Sequence, residues 1–181
     1  MEGDASPAPA EEPSPAPAVP SGTTLYDTWT LWAHLPHDTD WSLKSYRQIM
    51  TFSTVEEAAA LMSALPDALV RNCMLFIMRK GVHPTWEDQK NREGGSFSYK
   101  VSNKSVVSVW RQLSYALVGE SLARTPDARA DINGATISPK KNFCIIKVWM
   151  ASCKHTNPAG LVDIDGIPKA GCIFKKHVAN S

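Results

Sequence analysis

Two strand patterns held apart by a long, punctuated connection constrain this chain more than any other feature. Met74-Leu75-Phe76-Ile77-Met78 is a short continuous apolar run, as in a buried strand. Ser96-Phe97-Ser98-Tyr99-Lys100-Val101 alternates, as in a half-buried strand. Between them runs Gly81-Val82-His83-Pro84-Thr85-Trp86-Glu87-Asp88-Gln89-Lys90-Asn91-Arg92-Glu93-Gly94-Gly95, opened by Gly and Pro and closed by Gly-Gly. Connections of this length carry function more often than packing.

Inside it, Trp86 directly precedes Glu87. An indole face attracts a flat cation by its quadrupole and by stacking. A neighbouring carboxylate accepts two N–H groups from the edge of the same ligand. A guanine edge offers those donors, and methylation at N7 supplies the positive charge. The dipeptide fits equally an indole tucked under its own loop beside a solvated acid, and alone it does not decide.

The rest of the chain supplies the frame. Residues 1–22 are mostly Pro, Ala, Ser and Glu, with prolines at 7, 9, 13, 15, 17 and 20, and are expected to form an extended, disordered tail. Residues 23–181 are expected to form one domain with its own core. Thr23–His34 is a strand pattern in which Trp29 and Trp32 face opposite sides, one in the core and one stapling the outer surface. His34 and His37 are expected to be solvated loop residues, and Trp41, in polar company, a mobile and partly exposed lid. Tyr46–Phe52 is a strand. Thr54-Val55-Glu56-Glu57 is a capping box that opens a helix running to about Leu65, where Pro66 stops it.

Strands are expected over 71–79 and 95–101, then a helix over Asn103–Val118, with Trp110 in the core and Gly119 as its C-cap. Ala123–Asn133 is a loop or short helix. Gly134–Lys141 starts a strand, bends at Ser138-Pro139 and presents Lys140-Lys141; Phe143–Met150 is a second strand, in which period two puts Ile145, Lys147 and Trp149 on one face. Leu161–Ile167 alternates like another strand, and Cys172-Ile173-Phe174 is a further one. Lys175, Lys176 and His177 form a basic end, either beside a ligand's phosphates or frayed.

Net charge is +1, too little to grip a long polyanion nonspecifically but compatible with a few local cations. The four cysteines, Cys73, Cys144, Cys153 and Cys172, show no paired spacing and are expected to be buried free thiols in a reducing compartment. No metal or other cofactor is expected. No segment reaches membrane-spanning length and no secretory signal is visible, so a cytoplasmic location is expected; a monomer is expected as well.

The order Asp27-Thr28-Trp29-Thr30-Leu31-Trp32, Trp41, Phe52-Ser53-Thr54-Val55-Glu56-Glu57, the Trp86 loop, Leu117-Val118-Gly119-Glu120-Ser121 and Lys147-Val148-Trp149 resembles the eukaryotic translation initiation factor 4E family of mRNA cap-binding proteins. The resemblance covers about Leu25 to Met150. The surface and short tail are similar to the extra 4E paralogues of kinetoplastid protozoa. The resemblance implies an α+β fold: a curved antiparallel sheet backed on its convex face by about three helices, with a slot on the concave side. It implies 7-methylguanosine between Trp41 and Trp86, Glu87 on the guanine edge, the Trp86 backbone N–H on O6, and Trp149 against the N7-methyl. It places the cap phosphates on Lys140, with Lys141 or Lys147 compensating where the family's next basic positions fall on Asn142 and Ile145. Lys for Arg removes bidentate geometry.

The implied ligand is capped mRNA, with or without further methylated first nucleotides. The implied protein partner is a 4G-type scaffold or 4E-interacting protein on the convex helices, at Val55, Ala59, Trp29, Arg111, Gln112 and Tyr115. Ala59 stands where the family has a docking tryptophan, and Arg111 and Gln112 where it has Leu-Glu, so this contact is weakened or relocated. The implied role is cap binding in translation initiation or its regulation. The alternative is a partner-binding module or repressor that keeps the fold with weak cap affinity. A cap-processing enzyme lacks a nucleophile–base pair, a phosphate loop or metal-ligand spacing here. A methyl-lysine cage explains Trp41, Trp86 and Glu87 but leaves Lys140 and Lys141 without a role.

Overall fold

The computed structural model describes residues 22–177. The expected proline-rich tail therefore lies outside the described residues, apart from Gly22. Seven strands form one antiparallel sheet: β1 (Thr24–His34), β2 (Tyr46–Thr54), β3 (Met74–Arg79), β4 (Gly95–Ser102), β5 (Ile132–Pro139), β6 (Phe143–Met150) and β7 (Ile173–Lys176). Their order across the curved sheet is β2-β1-β3-β5-β6-β4-β7. Four helices accompany them: α1 (Val55–Ala64), α2 (Asp67–Asn72), α3 (Val106–Val118) and α4 (Pro126–Ala130).

Strand alternation sorts side chains between two faces. Trp29, Leu31 and Ala33 of β1, Leu75 and Ile77 of β3, Ala135 and Ile137 of β5, and Cys144, Ile146 and Val148 of β6 pack with the helices in one large core. From α3, Val106, Val109, Trp110, Leu113 and Leu117 enter that core, at the spacing of one helical face. The opposite face carries a smaller cluster of Phe76, Met78, Val82 and Trp149, with Trp32, Tyr46 and Met74 against it. Trp32 therefore belongs to the slot side and does not staple the helical surface.

The capping box forms as expected. Thr54 Oγ1 accepts the Glu57 amide at 3.2 Å, while Glu57 Oε2 accepts the amides of Ser53 at 2.8 Å and Thr54 at 3.1 Å. These bonds, that from Ser53 foremost, hold the Glu57 carboxyl below its ordinary range.

Several boundaries differ from the sequence expectations. The strand expected from residue 71 begins at Met74, because Asp67–Asn72 continue as α2 behind Pro66. Leu161–Ile167 is not a strand; only Leu161 bridges, to Ala123, so its alternation reflects apolar side chains packed against the main core. Gly119 caps α3 with an ordinary φ of −81°, and Glu120 takes the left-handed turn at φ 53°. Trp29 is 0% exposed and lies under the Arg79 guanidinium, so it cannot belong to a partner surface. Cys73 and Cys144 are buried, whereas Cys153 and Cys172 are only half-buried. Among the described residues no helix is long and apolar enough to cross a membrane.

Candidate ligand-binding slot

On the face away from the helices, a cavity of about 290 Å³ brings together Trp41, Trp86, Glu87, Lys147 and Trp149, over a floor that includes Tyr46 and Phe76. Sequence reasoning named the first five. Trp41 and Trp86 form exposed rims, 58% and 39% accessible, whereas Trp149 is 7% accessible. The Trp149 indole N–H donates to Thr136 Oγ1 at 2.7 Å, which fixes the ring to β5. The Tyr46 phenol is pushed up by burial and then by the Glu87 charge, so the acid's field reaches the floor.

The Trp86 loop is held by residues to which sequence reasoning gave no role. Asp88 accepts the His83 amide at 3.0 Å, the His83 Nδ1–H at 2.8 Å and the Lys90 amide at 2.8 Å. Burial opposes the Asp88 charge, but these donors outweigh it and leave the carboxyl below its ordinary range. Asn91, wholly buried, donates from Nδ2 to the carbonyls of His83 at 2.9 Å and Thr85 at 2.8 Å. Its Oδ1 accepts from Asn133 Nδ2 of β5 at 2.9 Å. With their own polar groups directed inward, Asp88 and Asn91 leave Trp86 and Glu87 as the outward-facing pair. Asp and Asn at such loop positions are the available sequence signal, because both bond to nearby backbone.

The closing glycines answer a close approach of backbones. A Cβ at Gly94 would lie 1.8 Å from the Met150 carbonyl oxygen, and one at Gly95 would lie 2.5 Å from that of Lys175. Larger residues would push β4 off both neighbours and move the loop.

The cations do not all converge. Lys147 is pushed down by burial, and the nearby charges of Lys140 and Lys175 push the same way. Among the described residues none of these three forms an ion pair. Their arrangement follows from register. Ser98 pairs with both Lys147 and Ile173, and Ser96 with both Trp149 and Lys175, so short serines separate the lysine-bearing strands. Lys141 is exposed in the turn before β6 and is not among these groups. The basic end is not frayed up to His177. Its amide donates to the Gly94 carbonyl at 2.9 Å, its Nδ1–H donates to that of Asn91 at 2.9 Å, and its ring lies 4.8 Å from Trp149.

His34 also departs from expectation: it is 2% exposed, not solvated. Its Nε2–H donates to the Asp40 carbonyl at 2.8 Å, and its ring lies parallel to Trp41 with centroids 4.2 Å apart. The expected lid is thus exposed but stacked, not free.

On the helical face, Val55, Ala59, Arg111, Gln112 and Tyr115 are exposed along α1 and α3. Among these five, Arg111 is the one charged side chain and Tyr115 the one phenol.

A family model described as eukaryotic initiation factor 4E matches residues 24–166. Eukaryotic translation initiation factor 4E of Eremothecium gossypii is 32% identical over 138 residues, covering 72% of this chain and 64% of the relative. The chain thus spans less than two thirds of that relative's length. Among solved structures, schistosome eIF4E complexed with m7GpppG and 4E-BP shares the fold with a TM-score of 0.67 at 22% identity, covering 75% of this chain and 76% of the other. Ascaris suum eIF4E-3 in complex with m7G cap gives a TM-score of 0.65 at 25% identity, covering 74% and 76%.

Proposed function

The chain belongs to the eukaryotic initiation factor 4E family, and on that premise we propose that it binds the 7-methylguanosine cap of mRNA in the slot. The observation that carries this reading is the convergence of two exposed indoles, one free carboxylate, one buried indole and one unpaired lysine on a single cavity. The base stacks between Trp41 and Trp86, worth about 1–3 kcal/mol per contact. Its positive charge adds about 0.5–2 kcal/mol through cation–π attraction. Glu87 accepts from N1–H and the 2-amino group, which excludes adenine, and the Trp86 amide meets O6. Trp149 lies against the N7-methyl. Lys140, Lys147 and Lys175 hold the phosphates; Lys141 adds less, since its charge is not among those that act on Lys147.

The biological role is translation initiation or its regulation, by binding without catalysis. A 4G-type scaffold or 4E-interacting protein docks on Val55, Ala59, Arg111, Gln112 and Tyr115. The uncharged Ala59 step and the Arg111 cation favour a partner whose docking helix carries an acid and a broad apolar side chain.

The test is intrinsic fluorescence during titration with 7-methylguanosine triphosphate, with GTP in parallel. Strong quenching by the methylated ligand alone is expected, and Glu87→Ala is expected to abolish it with the fold intact. Equal, weak responses to both nucleotides, or a Glu87→Ala affinity within a few-fold of the parent, refute the reading.

A further inference from the structure

We propose that His34 is a positioning residue for the slot: its buried ring is the platform that holds Trp41 as a preformed wall. The inference rests on the cap-slot reading above and adds a residue to which that reading gives no part.

Two contacts from one ring act on adjacent parts of the chain. The imidazole covers one face of the Trp41 indole, with an interplanar angle of 1° and centroids 4.2 Å apart. The same ring donates from Nε2 to the Asp40 carbonyl at 2.8 Å, and that carbonyl belongs to the peptide bond that leads into Trp41. His34 thus restrains both the side chain and the backbone that carries it. An apolar ring at this position supplies the stack alone; a histidine supplies the stack and the bond.

The loop around Trp41 completes the restraint. The Asp40 carboxylate accepts the Ser42 amide at 2.8 Å and the Ser42 hydroxyl at 2.9 Å, and the Asp40 amide donates to Asp38 Oδ1 at 3.0 Å. His34 is braced in turn from the sheet. Tyr46 meets it edge-on at 5.1 Å, and Tyr46 meets Phe76 edge-on at 5.4 Å. A ladder of rings therefore runs from the slot floor to the exposed indole.

The benefit lies in the free state. An indole left 58% exposed on a loop without a platform samples several rotamers, and a ligand must then order it. With one face already stacked, the ligand meets the other face in place. A core-filling histidine predicts something different: its loss weakens the whole fold and lowers affinity whether or not residue 41 is a tryptophan.

The experiment is a double-mutant cycle on the full chain: parent, His34→Ala, Trp41→Ala and the pair, with 7-methylguanosine triphosphate affinity as readout. His34→Ala is expected to weaken binding about two- to tenfold in the parent and to have no effect in the Trp41→Ala background. His34→Phe, which restores the stack, is expected to recover most of the loss. The second measurement needs no ligand. Acrylamide quenching of the Trp41 emission, taken as parent minus Trp41→Ala, is expected to increase in His34→Ala. An equal affinity loss in both backgrounds, no loss at all, or unchanged quencher access overturns the proposal. Failure of the parent to bind the cap nucleotide overturns the slot reading and the binding role of His34 together, while the quenching measurement still reports whether the stack exists.

Discussion

Replacing Asn91 by Asp separates shape from hydrogen bonding in the loop that presents Trp86 and Glu87. The two side chains have nearly the same volume, so packing is preserved. The donors are not. Asn91 Nδ2 serves the carbonyls of His83 and Thr85 at 2.9 and 2.8 Å, and the residue has no solvent exposure. Aspartate sets an acceptor against each of these acceptors and buries a carboxylate. A buried group left unsatisfied costs about 1–3 kcal/mol; the His83 carbonyl loses its donor outright, while the Thr85 carbonyl keeps only the Asp88 amide at 3.4 Å, and the cost of burying the charge comes on top. That is a substantial fraction of the stability of a typical domain, about 5–15 kcal/mol. The loop is therefore expected to open while the sheet persists. Each 1.4 kcal/mol by which the closed loop falls below the open one lowers apparent affinity about tenfold. The assay is urea unfolding followed by far-ultraviolet circular dichroism, beside titration with 7-methylguanosine triphosphate. Asn91→Asp is expected to lose at least about tenfold in affinity and to be at least as damaging as Asn91→Ala. Stability within about 1 kcal/mol of the parent and unchanged affinity refute the clasp argument.

Three further predictions test other parts of the molecule. Lys147→Gln and Lys175→Gln are expected to weaken cap-nucleotide binding and flatten its salt dependence, with Lys141→Gln much closer to the parent; a Lys175→Gln titration that overlays the parent at low salt removes that residue from the phosphate set. Burial, and then the Lys147 charge, hold the His177 imidazole below its ordinary range despite the Asn91 bond. Its neutral form is thus favoured by folding, so its contribution is present above the unfolded histidine value of about 6.5 and declines as pH falls below it. Unfolding free energy measured from about pH 7.5 to about pH 5.5 is expected to fall less steeply in His177→Phe than in the parent, and identical slopes contradict the assignment. Arg79 pairs with Glu120 at 2.6 Å and Asp27 at 2.8 Å, with Arg79 and Glu120 mostly buried. Arg79→Met is expected to cost about 3 kcal/mol in urea while leaving cap-nucleotide affinity of the folded fraction unchanged; a silent substitution in urea shows the pairs to be energetically neutral.

The parts of the fold that were legible in the sequence are those governed by local periodicity. The run at Met74–Met78, the alternation through Lys147 and Trp149, the α3 spacing and the Thr54–Glu57 box each carry their own geometry within a few residues. Trp86 and Glu87 stood out not by the dipeptide itself but by its place in the order of the other motifs, which carries the family resemblance. What was not legible depends on partners distant in the chain. Trp29 and Trp32 alternate in the same way, and only the placement of the helices decides which is sealed in the core. His34 is the last residue of β1 and precedes a turn, and its burial arises from Trp41 and Tyr46 closing over it. Asn91 needs Asn133, and Lys175 joins Lys147 only because β7 lies beside β4.

The strand order also dictates a sequence of events during synthesis. Strands β2, β1 and β3 are consecutive neighbours in the sheet and can pair as soon as they emerge. Strand β4 emerges next, yet it has no partner among them, because its places are beside β6 and β7. The Trp86 loop, which leads into β4, therefore waits, tethered at one end, until β5 brings Asn133, β6 brings Trp149 and the last strand brings His177. A nascent chain arrested before β5 carries half a sheet and no slot. Slot assembly is thus among the last steps of folding, and on the cap-slot reading cap nucleotide added during translation is expected to select finished molecules over partial ones.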